Sequence, residues 1–455
     1  MIDVAVVGGG IAGLAAAYEL SLRGVSCVVL EGSGRAGGVI LSEQIDGFTV
    51  DGGPDSLLIQ KPDGITLCEE LGLGDRLVAT KLPRFAYILR AGRLHALASG
   101  SVLGIPTRAS SLLASSLFSW RGKLRMGAEL FVPPRTDEKD ESIGSFMTRR
   151  FGREATCYLA EPLLAGIHAG DVDRLSMHAL FPRFVADEQK YGSLLKAFRG
   201  RAHSRVAVDG AFKSLPGGLT EMVNALVAAL PSGTVRLNAR VRRIAGSGPF
   251  TIDVQGADAI DARRVIVATP AYAAADLLRE RDPELARRCS EIPYASAMTV
   301  AMAFRREDVT HKLNGSGFVV PRIEPVGILA ASWLSSKWPH RAPDGHVLLR
   351  AFLGGTRDPR ALEDSDEAAV ARSITALTPL LGIRGEPRFT RVYRWERANA
   401  QHEVGHLARI AAIDLTLVRH PGLFLTGSGF RGVGIPDCIA DARAVARQAM
   451  QHLST

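Results

Sequence analysis

The sequence has few cysteines, and their spacing does not suggest a metal site or a disulfide framework. Its five cysteines lie far apart and form no CxxC pair: Cys27, Cys68, Cys157, Cys289 and Cys438. A disulfide framework, an iron–sulfur cluster or a zinc ribbon requires paired or closely spaced cysteines. We therefore expect reduced thiols and no metal.

Long apolar runs are also lacking. Nowhere do 18 apolar residues follow one another, so the sequence predicts no helix that spans a bilayer. A core-type strand begins at Ile2, so we expect no secretory signal peptide. We expect a cytoplasmic protein. At 455 residues and 46% apolar composition, the chain can form two or three domains with a large core.

Acidic residues are scarce in one stretch. Between Lys81 and Arg135 there are nine Lys or Arg residues against a single acid, Glu129, whereas the whole chain carries a net charge of +8. The rest of the chain is therefore close to neutral. A local excess of positive charge favours an anionic substrate or an anionic membrane surface. The stretch carries no nucleic-acid motif, so we expect no nucleic-acid partner.

A dinucleotide-binding motif lies at the start of the chain. A short apolar strand at residues 3–7 runs into Gly8-Gly-Gly10-Ile-Ala-Gly13 and then into an alanine-rich helix. A second strand, residues 27–30, ends in Glu31. In this setting the glycines permit a tight turn, the approach of a pyrophosphate and the packing of helix on strand. Glu31 can accept the ribose hydroxyls and would repel the extra phosphate of NADP.

A second glycine loop follows Glu31 and points to FAD. The arrangement E-x3-R-x-G-G, from Glu31 to Gly38, resembles the flavin-containing amine oxidase superfamily. In that superfamily this loop lies along the FAD pyrophosphate and ribityl chain. Later segments fit the same scheme: a strand at 235–244, a strand at 264–270 and the glycine-rich run 423–437. The nucleotide domain is thus expected to be assembled from separate parts of the chain.

Further motifs make the resemblance narrower. The chain resembles the oxygen-dependent protoporphyrinogen and coproporphyrinogen oxidases, and the match covers nearly its whole length. The motifs that carry it include Gly52-Gly-Pro-Asp-Ser56, Glu161-Pro-Leu-Leu-Ala-Gly-Ile-His-Ala-Gly-Asp171, Pro216-Gly-Gly-Leu219, Trp338-Pro-His-Arg-Ala-Pro343 and Gly432-Val-Gly-Ile-Pro-Asp-Cys-Ile439.

The resemblance implies FAD-dependent oxidation of protoporphyrinogen IX to protoporphyrin IX in haem synthesis, with O2 as acceptor and release of hydrogen peroxide. Coproporphyrinogen III is the alternative substrate. Flavin N5 accepts the hydride, so no side chain is predicted to be catalytic. We expect the substrate to contact Arg84, Gly166, Leu329 and Phe352. Arg84 would pair a propionate, because a guanidinium binds a carboxylate bidentately.

The cofactor contacts follow from the motif and the resemblance together. We expect them at Gly8, Gly10, Ile11, Ala12, Gly13, Leu14, Glu31, Gly32, Arg35, Gly38, Val39, Gly53, Pro54, Asp55, Ser56, Val241, Trp395, Val433, Gly434 and Ile435.

The predicted fold class is α/β plus α, in three parts. A discontinuous Rossmann-like FAD-binding domain takes residues 1–80, 205–275 and 396–455. A mixed-sheet substrate-binding domain takes 81–100 and 276–395, and a helical, membrane-facing domain takes 101–204. Helices are expected at 110–120 and 122–131. A peripheral membrane contact is expected through 101–135, and a ferrochelatase-type downstream enzyme is the expected protein partner.

The sequence differs from the family pattern in two places, and it also contains one motif that resembles a zinc site. The family commonly has a proline within residues 96–98 and a tyrosine where His402 stands. His402-Glu-Val-Gly-His406 is a literal HExxH, the pattern with which two helical histidines bind zinc. Gly405 disfavours a helix there, and residues 395–401 look like a loop, so we do not expect a zinc site.

Two other classes of function stay open. An amine oxidase or carotenoid desaturase would share the nucleotide motifs but have an aromatic cage or a greasy tunnel. A non-enzymatic flavin-binding protein of the haem pathway would bind FAD without reacting with any porphyrinogen.

Overall fold

The computed structural model describes residues 1–97, 101–102, 104–106, 108–137, 139–201 and 210–451. The strands are β1 (Ile2–Val7), β2 (Cys27–Leu30), β3 (Ser42–Ile45), β4 (Phe48–Asp51), β5 (Leu57–Leu58), β6 (Val78–Ala79), β7 (Ala86–Arg90), β8 (Arg93–Ala96), β9 (Phe212–Ser214), β10 (Val235–Arg236), β11 (Val241–Ala245), β12 (Phe250–Val254), β13 (Ile260–Val267), β14 (Tyr294–Arg305), β15 (Gly317–Val319), β16 (Ala330–Trp333), β17 (His346–Gly354), β18 (Phe389–Ala400) and β19 (Leu423–Leu425).

The α-helices are α1 (Ile11–Ser21), α2 (Asp63–Glu70), α3 (Ala109–Ala114), α4 (Trp120–Gly127), α5 (Ile143–Phe151), α6 (Arg153–Ala155), α7 (Glu161–His168), α8 (Met177–Leu180), α9 (Pro182–Tyr191), α10 (Leu194–Arg201), α11 (Thr220–Ala229), α12 (Ala271–Leu278), α13 (Pro283–Ser290), α14 (Leu334–Lys337), α15 (Asp366–Leu381), α16 (His406–Leu417) and α17 (Ile435–Gln451).

The first sheet is built around β1. In the described part of the chain its order is β10-β2-β1-β13-β12-β11, with β19 also on β13, and β10, β2, β1, β13 and β19 run parallel. Val4 and Val6 pack into a core with α1 and α17, whereas Ala5 and Val7 pack into a second core on the other face. Burial on both faces explains why β1 is apolar at successive positions.

The second sheet is mixed, and its strands lie largely in the residues predicted to form the substrate-binding part. Its order among the described residues is β18-β14-β17-β16-β15-β7-β8, and only the β15–β7 pair in it is parallel. Val347, Leu349 and Ala351 alternate toward a core shared with α15, while Leu348 faces a core with Phe48 of the first half of the chain. One face of this sheet therefore turns toward the nucleotide-binding part.

A helical part packs beside the second sheet. Ile143, Phe146 and Phe198 form its core, and Ile88 of β7 joins that core from the sheet. In the residues that the structure describes, every helix is too short or too polar to cross a bilayer.

Three local predictions are wrong. The predicted strand 235–244 is two strands, because residues 238 and 239 turn back and donate backbone hydrogen bonds to Ser33 and Glu31. The predicted helix 110–120 ends at Ala114, and α4 begins anew after Ser119, whose hydroxyl caps it through the Gly122 N–H at 3.1 Å. The expected loop 395–401 is the end of β18, which pairs with β14 up to Ala400.

The domain limits stay a prediction. The predicted boundary between residues 204 and 205, like the last four residues of the chain, lies outside the described residues.

Candidate cofactor and substrate site

The glycine turn lies at the carboxyl end of β1. The carboxyl ends of the parallel strands β2, β13 and β19 lie at the same edge of the sheet. Gly8 has φ +109°, which favours glycine, and its N–H donates to Leu30 at 2.9 Å. A methyl group on Gly13 would lie 1.9 Å from the Gly8 carbonyl oxygen. The turn can therefore close only with glycine at position 13.

The second glycine loop lies directly against the first. The Gly37 N–H donates to the Gly9 carbonyl at 2.8 Å, and a methyl group on Gly38 would lie 3.3 Å from the Gly10 Cα. Arg35 folds back and donates to the carbonyls of Gly38 and Ile40. Its guanidinium thus fixes the shape of this loop.

Glu31 lies at the edge of the same cleft. Its carboxylate accepts from the Gly9 N–H at 2.7 Å and from the Ser33 N–H at 2.8 Å. A methyl group built on the neighbouring Gly32 would lie 3.6 Å from the Arg240 Cα. Val241, the next residue, begins β11 and therefore lies close to this end of the cleft. A carboxylate held here can bind ribose hydroxyls, with the base toward Val241.

The cleft fits the dinucleotide part of FAD. Among the described residues, no atom lies within 4 Å of a methyl group built on Gly10, so space is open where a pyrophosphate would approach. The helix N-terminus of α1 supplies N–H groups and a positive dipole there. Ala12 and Leu14 are buried in the core, so only their backbone can face a cofactor, whereas Ile11 is partly exposed. Val433, Gly434 and Ile435 lead into α17 at the opposite chain end.

A third loop, residues 52–56, joins the cleft to the second sheet. A methyl group on Gly53 would lie 1.9 Å from the Val39 carbonyl, so this loop packs on the second glycine loop. Trp395 of β18 donates from Nε1 to the Gly52 carbonyl at 2.9 Å. Pro54 follows in the same loop. The predicted cofactor residues 38–39, 53–56 and Trp395 therefore lie close together.

Asp55 is buried and ion-paired. Its carboxylate lies 2.9 Å from Lys337 Nζ and 3.2 Å from Arg350, and Trp338 donates to it at 3.3 Å. Burial alone would raise the pKa of the Asp55 carboxyl, but Lys337 and Arg350 outweigh it and hold that pKa below its ordinary value. Ser56 donates to the same carboxylate at 3.0 Å. The Asp55 side chain and carbonyl are thus both used within the protein, since the Ser214 hydroxyl donates to that carbonyl at 2.7 Å.

Arg350 and Arg341 are buried cations beside residues 51–55 that the sequence did not single out. Arg350 is 3% exposed and donates to the carbonyls of Asp51 and Gly53 at 2.7 and 2.8 Å, with its guanidinium 4.7 Å above the Phe352 ring. Arg341 is fully buried and pairs with Asp51 at 2.9 Å. The only sequence signal was indirect, since buried Asp51 and Asp55 each require a cationic partner.

The predicted substrate residues lie on or beside the second sheet. Leu329 donates its N–H to the Phe352 carbonyl at 2.7 Å, so these two partly buried residues are adjacent. Arg84 precedes β7, three strand spacings from β17, which is about 14 Å. Its Nε donates to Thr80 Oγ1 at 2.9 Å. Leu329 and Phe352 therefore come together, while Arg84 lies farther along the same sheet.

Gly166 lies in α7, a helix fixed at both ends to the second sheet. At its start Glu161 pairs with Arg357 beyond β17. At its end the His168 carbonyl accepts from Gln401 at 2.8 Å, and the next carbonyl accepts from the Thr356 N–H at 2.9 Å. The helix that contains Gly166 thus crosses the end of the strand that contains Phe352.

The two histidines of the HExxH pattern bind the backbone of the C-terminal glycine loop. His402 lies before α16 and His406 at its first residue, so the pair does not share one helix. Their rings stack with centroids 3.7 Å apart, and their Nε2 atoms lie 3.0 and 2.8 Å from the carbonyls of Ser428 and Phe430. Burial lowers the pKa of His402 to about 3. Two neutral imidazoles therefore hold residues 428–430 by hydrogen bonds.

Comparison with known proteins agrees with this geometry. The family described as flavin containing amine oxidoreductase matches residues 11–450. A coproporphyrinogen III oxidase from Bacillus subtilis (strain 168) is 34% identical, over 99% of this chain and 98% of that protein. A mitochondrial protoporphyrinogen oxidase from Nicotiana tabacum is 28% identical, over 99% of this chain and 95% of that protein. The crystal structure of an inferred protoporphyrinogen oxidase from Exiguobacterium sp. 255-15 superposes with a TM-score of 0.88 at 32% identity, covering 100% and 99% of the two chains.

Proposed function

We propose that this chain, which belongs to the flavin containing amine oxidoreductase family and is an FAD-dependent porphyrinogen oxidase, acts on coproporphyrinogen III and forms coproporphyrin III. The observation that carries the choice of substrate is the difference in similarity. The chain is 34% identical to a coproporphyrinogen III oxidase and 28% identical to a protoporphyrinogen oxidase, over equal shares of its length. The preference for protoporphyrinogen IX that the sequence suggested is therefore the second candidate.

The charge distribution supports the same choice. Coproporphyrinogen carries more propionates than protoporphyrinogen, so it requires more positive charge near its binding site. Of the basic residues between Lys81 and Arg135, Arg90 pairs with Glu154 and Arg125 donates to backbone carbonyls. Arg93, Arg108 and Arg121 are exposed. These exposed residues, together with Arg84, would attract and orient an anionic macrocycle.

The proposed reaction requires the protein to orient the substrate more than to supply acid–base groups. FAD would supply the hydride acceptor when bound, with O2 as the final electron acceptor. Leu329 and Phe352 offer apolar surface to the flat ring, and Arg84 offers a guanidinium to a propionate. Arg350 holds the Gly53 loop against Phe352, which keeps the cofactor and substrate surfaces in register.

Porphyrin fluorescence under air tests the proposed substrate. The purified flavoprotein should convert coproporphyrinogen III with a kcat/KM about tenfold or more above that for protoporphyrinogen IX, a difference of about 1.4 kcal/mol in transition-state binding. A preference for protoporphyrinogen IX would overturn the choice of substrate. Fluorescence that rises no faster than autoxidation with either compound would overturn the proposed activity itself.

We also propose a reversible membrane contact through residues 101–135. Trp120, Leu124 and Phe131 are 69%, 72% and 86% exposed, and Lys123 lies over the Trp120 ring at 4.9 Å. Exposed apolar side chains beside basic ones are typical of an interfacial membrane site. The protein should float with anionic liposomes at low salt, and Leu124→Glu should abolish this. Equal flotation of Leu124→Glu and the unaltered protein would contradict the assignment.

Two further expectations rest on this function. A ferrochelatase-type enzyme, which consumes a porphyrin, is the downstream partner that the product implies. The second expectation is a cytoplasmic protein that binds the membrane surface reversibly and transfers that product without a transmembrane segment.

A further inference from the structure

The last turn of α7 is held by donors from outside the helix. The final carbonyls of an α-helix have no partner within it, so their hydrogen bonds must come from elsewhere. The His168 carbonyl accepts from Gln401 Nε2 at 2.8 Å, and the Ala169 carbonyl accepts from the Thr356 N–H at 2.9 Å. Gln401 directly follows β18, and Thr356 follows β17. These two donors therefore fix the end of α7 to the second sheet.

The side chain of Gln401 is buried, and its amide has a fixed orientation. Gln401 is 2% exposed. Besides the His168 carbonyl, its Nε2 reaches the Asn399 carbonyl at 3.0 Å, so both amide hydrogens have acceptors. A methyl group on Gly170 would lie 2.3 Å from Gln401 Oε1, so the amide also packs against the segment that follows α7. Gln401 thus defines where α7 ends.

The next residue, His402, contacts a different part of the protein. It is also 2% exposed, and its Nε2 lies 3.0 Å from the Ser428 carbonyl. Ser428 lies between β19 and α17, in the glycine loop that leads to the predicted cofactor residues 433–435. Two adjacent buried side chains therefore reach the helix that contains Gly166 on the one hand and the C-terminal glycine loop on the other.

We propose that Gln401 and His402, which we call the 401–402 link, position the two halves of the site separately. Gln401 fixes α7 for the substrate, and His402 fixes the glycine loop for the flavin. The proposal rests on the function proposed above, because Gly166 of α7 is expected to contact the macrocycle. Both side chains act through backbone carbonyls, so they are positioning residues.

The two positions should respond differently to substitution. Without the Gln401 amide, the His168 carbonyl loses its donor and α7 loosens, whereas the glycine loop keeps its bonds to His402 and to His406, whose Nε2 lies 2.8 Å from the Phe430 carbonyl. Without His402 the reverse holds. A residue that only stabilised the core would change the Tm without separating substrate binding from flavin binding.

Gln401→Met tests the substrate side, because methionine has a similar length but no donor. An absorbance titration with coproporphyrin III measures porphyrin binding without turnover, and steady-state kinetics give KM. We expect porphyrin affinity to fall, and KM to rise, about five- to tenfold, with kcat and the Kd of FAD within about twofold. Gly170→Ala, which displaces the Gln401 amide, should give the same result by a second route.

His402→Ala tests the cofactor side. The flavin fluorescence released when the loaded protein is diluted gives the Kd of FAD. We expect this Kd to rise about five- to tenfold, while porphyrin affinity at saturating FAD stays within about twofold. His402→Gln retains a donor and should bind FAD normally. Ser373→Ala removes a fully buried hydrogen bond to the Ala369 carbonyl in α15, at 2.8 Å, and is the matched control that should change neither affinity.

The pattern of the two affinities decides the proposal. Equal losses of porphyrin and FAD affinity in Gln401→Met would overturn it, as would unchanged porphyrin affinity in both Gln401→Met and Gly170→Ala. If circular dichroism shows that Gln401→Met does not fold, Gly170→Ala decides. An unaltered protein that binds coproporphyrin III but oxidises neither porphyrinogen would overturn the proposed function, while the binding titrations would still decide the roles of the 401–402 link.

Discussion

Single glycines in the cofactor cleft have two separate roles. Gly13 is needed by the protein itself, because a methyl group there would strike the Gly8 carbonyl at 1.9 Å. Gly10 is different, since a methyl group there meets only open space within the described structure. The motif contains both glycines, but only the structure separates the residue that closes the turn from the residue that admits the ligand.

Gly10→Val should therefore remove the flavin without unfolding the protein. The side chain would occupy the space through which a pyrophosphate approaches the backbone, so we expect FAD affinity to fall by about 100-fold or more. Flavin content after dialysis and the Tm of the FAD-free protein measure the two effects. Gly127→Val, at another uncrowded glycine, is the control. Full flavin retention by Gly10→Val would contradict the assignment.

Arg84 should act on substrate binding and little on the chemical step. We expect Arg84→Ala to raise KM about tenfold or more with kcat nearly unchanged, because a propionate is held equally in the ground state and the transition state. Arg305→Ala, at a 71%-exposed arginine that ends β14, should leave KM within about twofold. Steady-state kinetics with coproporphyrinogen III decide this. A large fall in kcat at constant KM would show that Arg84 has another role.

The glycines and Glu31 could be predicted because each lies in a short motif whose geometry is local. Arg350 and Lys337 could not, because their partners are distant in sequence. Asp55 and Lys337 are 282 residues apart and meet only after the two halves of the chain fold together. A sequence shows that buried Asp55 requires a cation, but it does not say which cation.

Among the elements, β18 shows how tertiary pairing overrides local pattern. Residues 395–400 read Trp-Glu-Arg-Ala-Asn-Ala, without a β-branched residue or apolar alternation, and they suggested a loop. They are a strand because β14 offers pairing partners, with Tyr294 opposite Ala400. The first strand, β1, could be predicted from sequence because burial on both of its faces requires a continuous apolar run.

Two buried histidines should make the stability of the protein sensitive to acid. Burial lowers the pKa of His168 to about 4 and that of His402 to about 3. Both histidines are therefore neutral in the folded state, while the unfolded chain takes up protons below about pH 6.5. Stability should fall as the pH drops from 6.5 toward 4, by about 1.4 kcal/mol per pH unit for each histidine.

Thermal unfolding between pH 4 and pH 7.5 checks this. His402→Gln keeps a side-chain donor for the Ser428 carbonyl and should flatten the dependence by one histidine's share. Asp55 has a lowered pKa, so its stabilising effect is present above the ordinary carboxyl pKa and is lost only at still lower pH. A Tm that does not change over this range would show that the buried histidines are not neutral.

At the scale of the whole molecule, buried ion pairs join the loop after β4 to the second sheet. Asp51 ends β4 and Asp55 follows it, and their partners Arg341, Lys337 and Arg350 come from the second sheet or the segment beside it. Because removal of one member leaves a buried charge without compensation, this junction should control how the cofactor and substrate surfaces face each other.

Asp55→Ala should lower stability by about 3–5 kcal/mol, because Lys337 and Arg350 would lose their buried partner. Asp253→Ala, which removes an exposed ion pair with Arg243, should have little effect. Urea unfolding followed by flavin fluorescence and by circular dichroism measures both variants. Equal stability of the two variants would mean that the Asp55 ion pairs do not stabilise this junction.

The fold class and the cofactor could be predicted from the two chain ends, whereas the choice between two closely related substrates could not. We expect that choice to depend on the cations near the bound substrate, because an apolar ring such as that of Phe352 would suit either macrocycle.

Anaerobic mixing of the flavin-loaded protein with coproporphyrinogen III or protoporphyrinogen IX tests the central claim most directly. The bleaching of the flavin absorbance reports the transfer of hydride to FAD, without the background of autoxidation. We predict rapid bleaching by coproporphyrinogen III, with formation of coproporphyrin, and slower bleaching by protoporphyrinogen IX. A flavin that stays oxidised with both compounds would contradict the account.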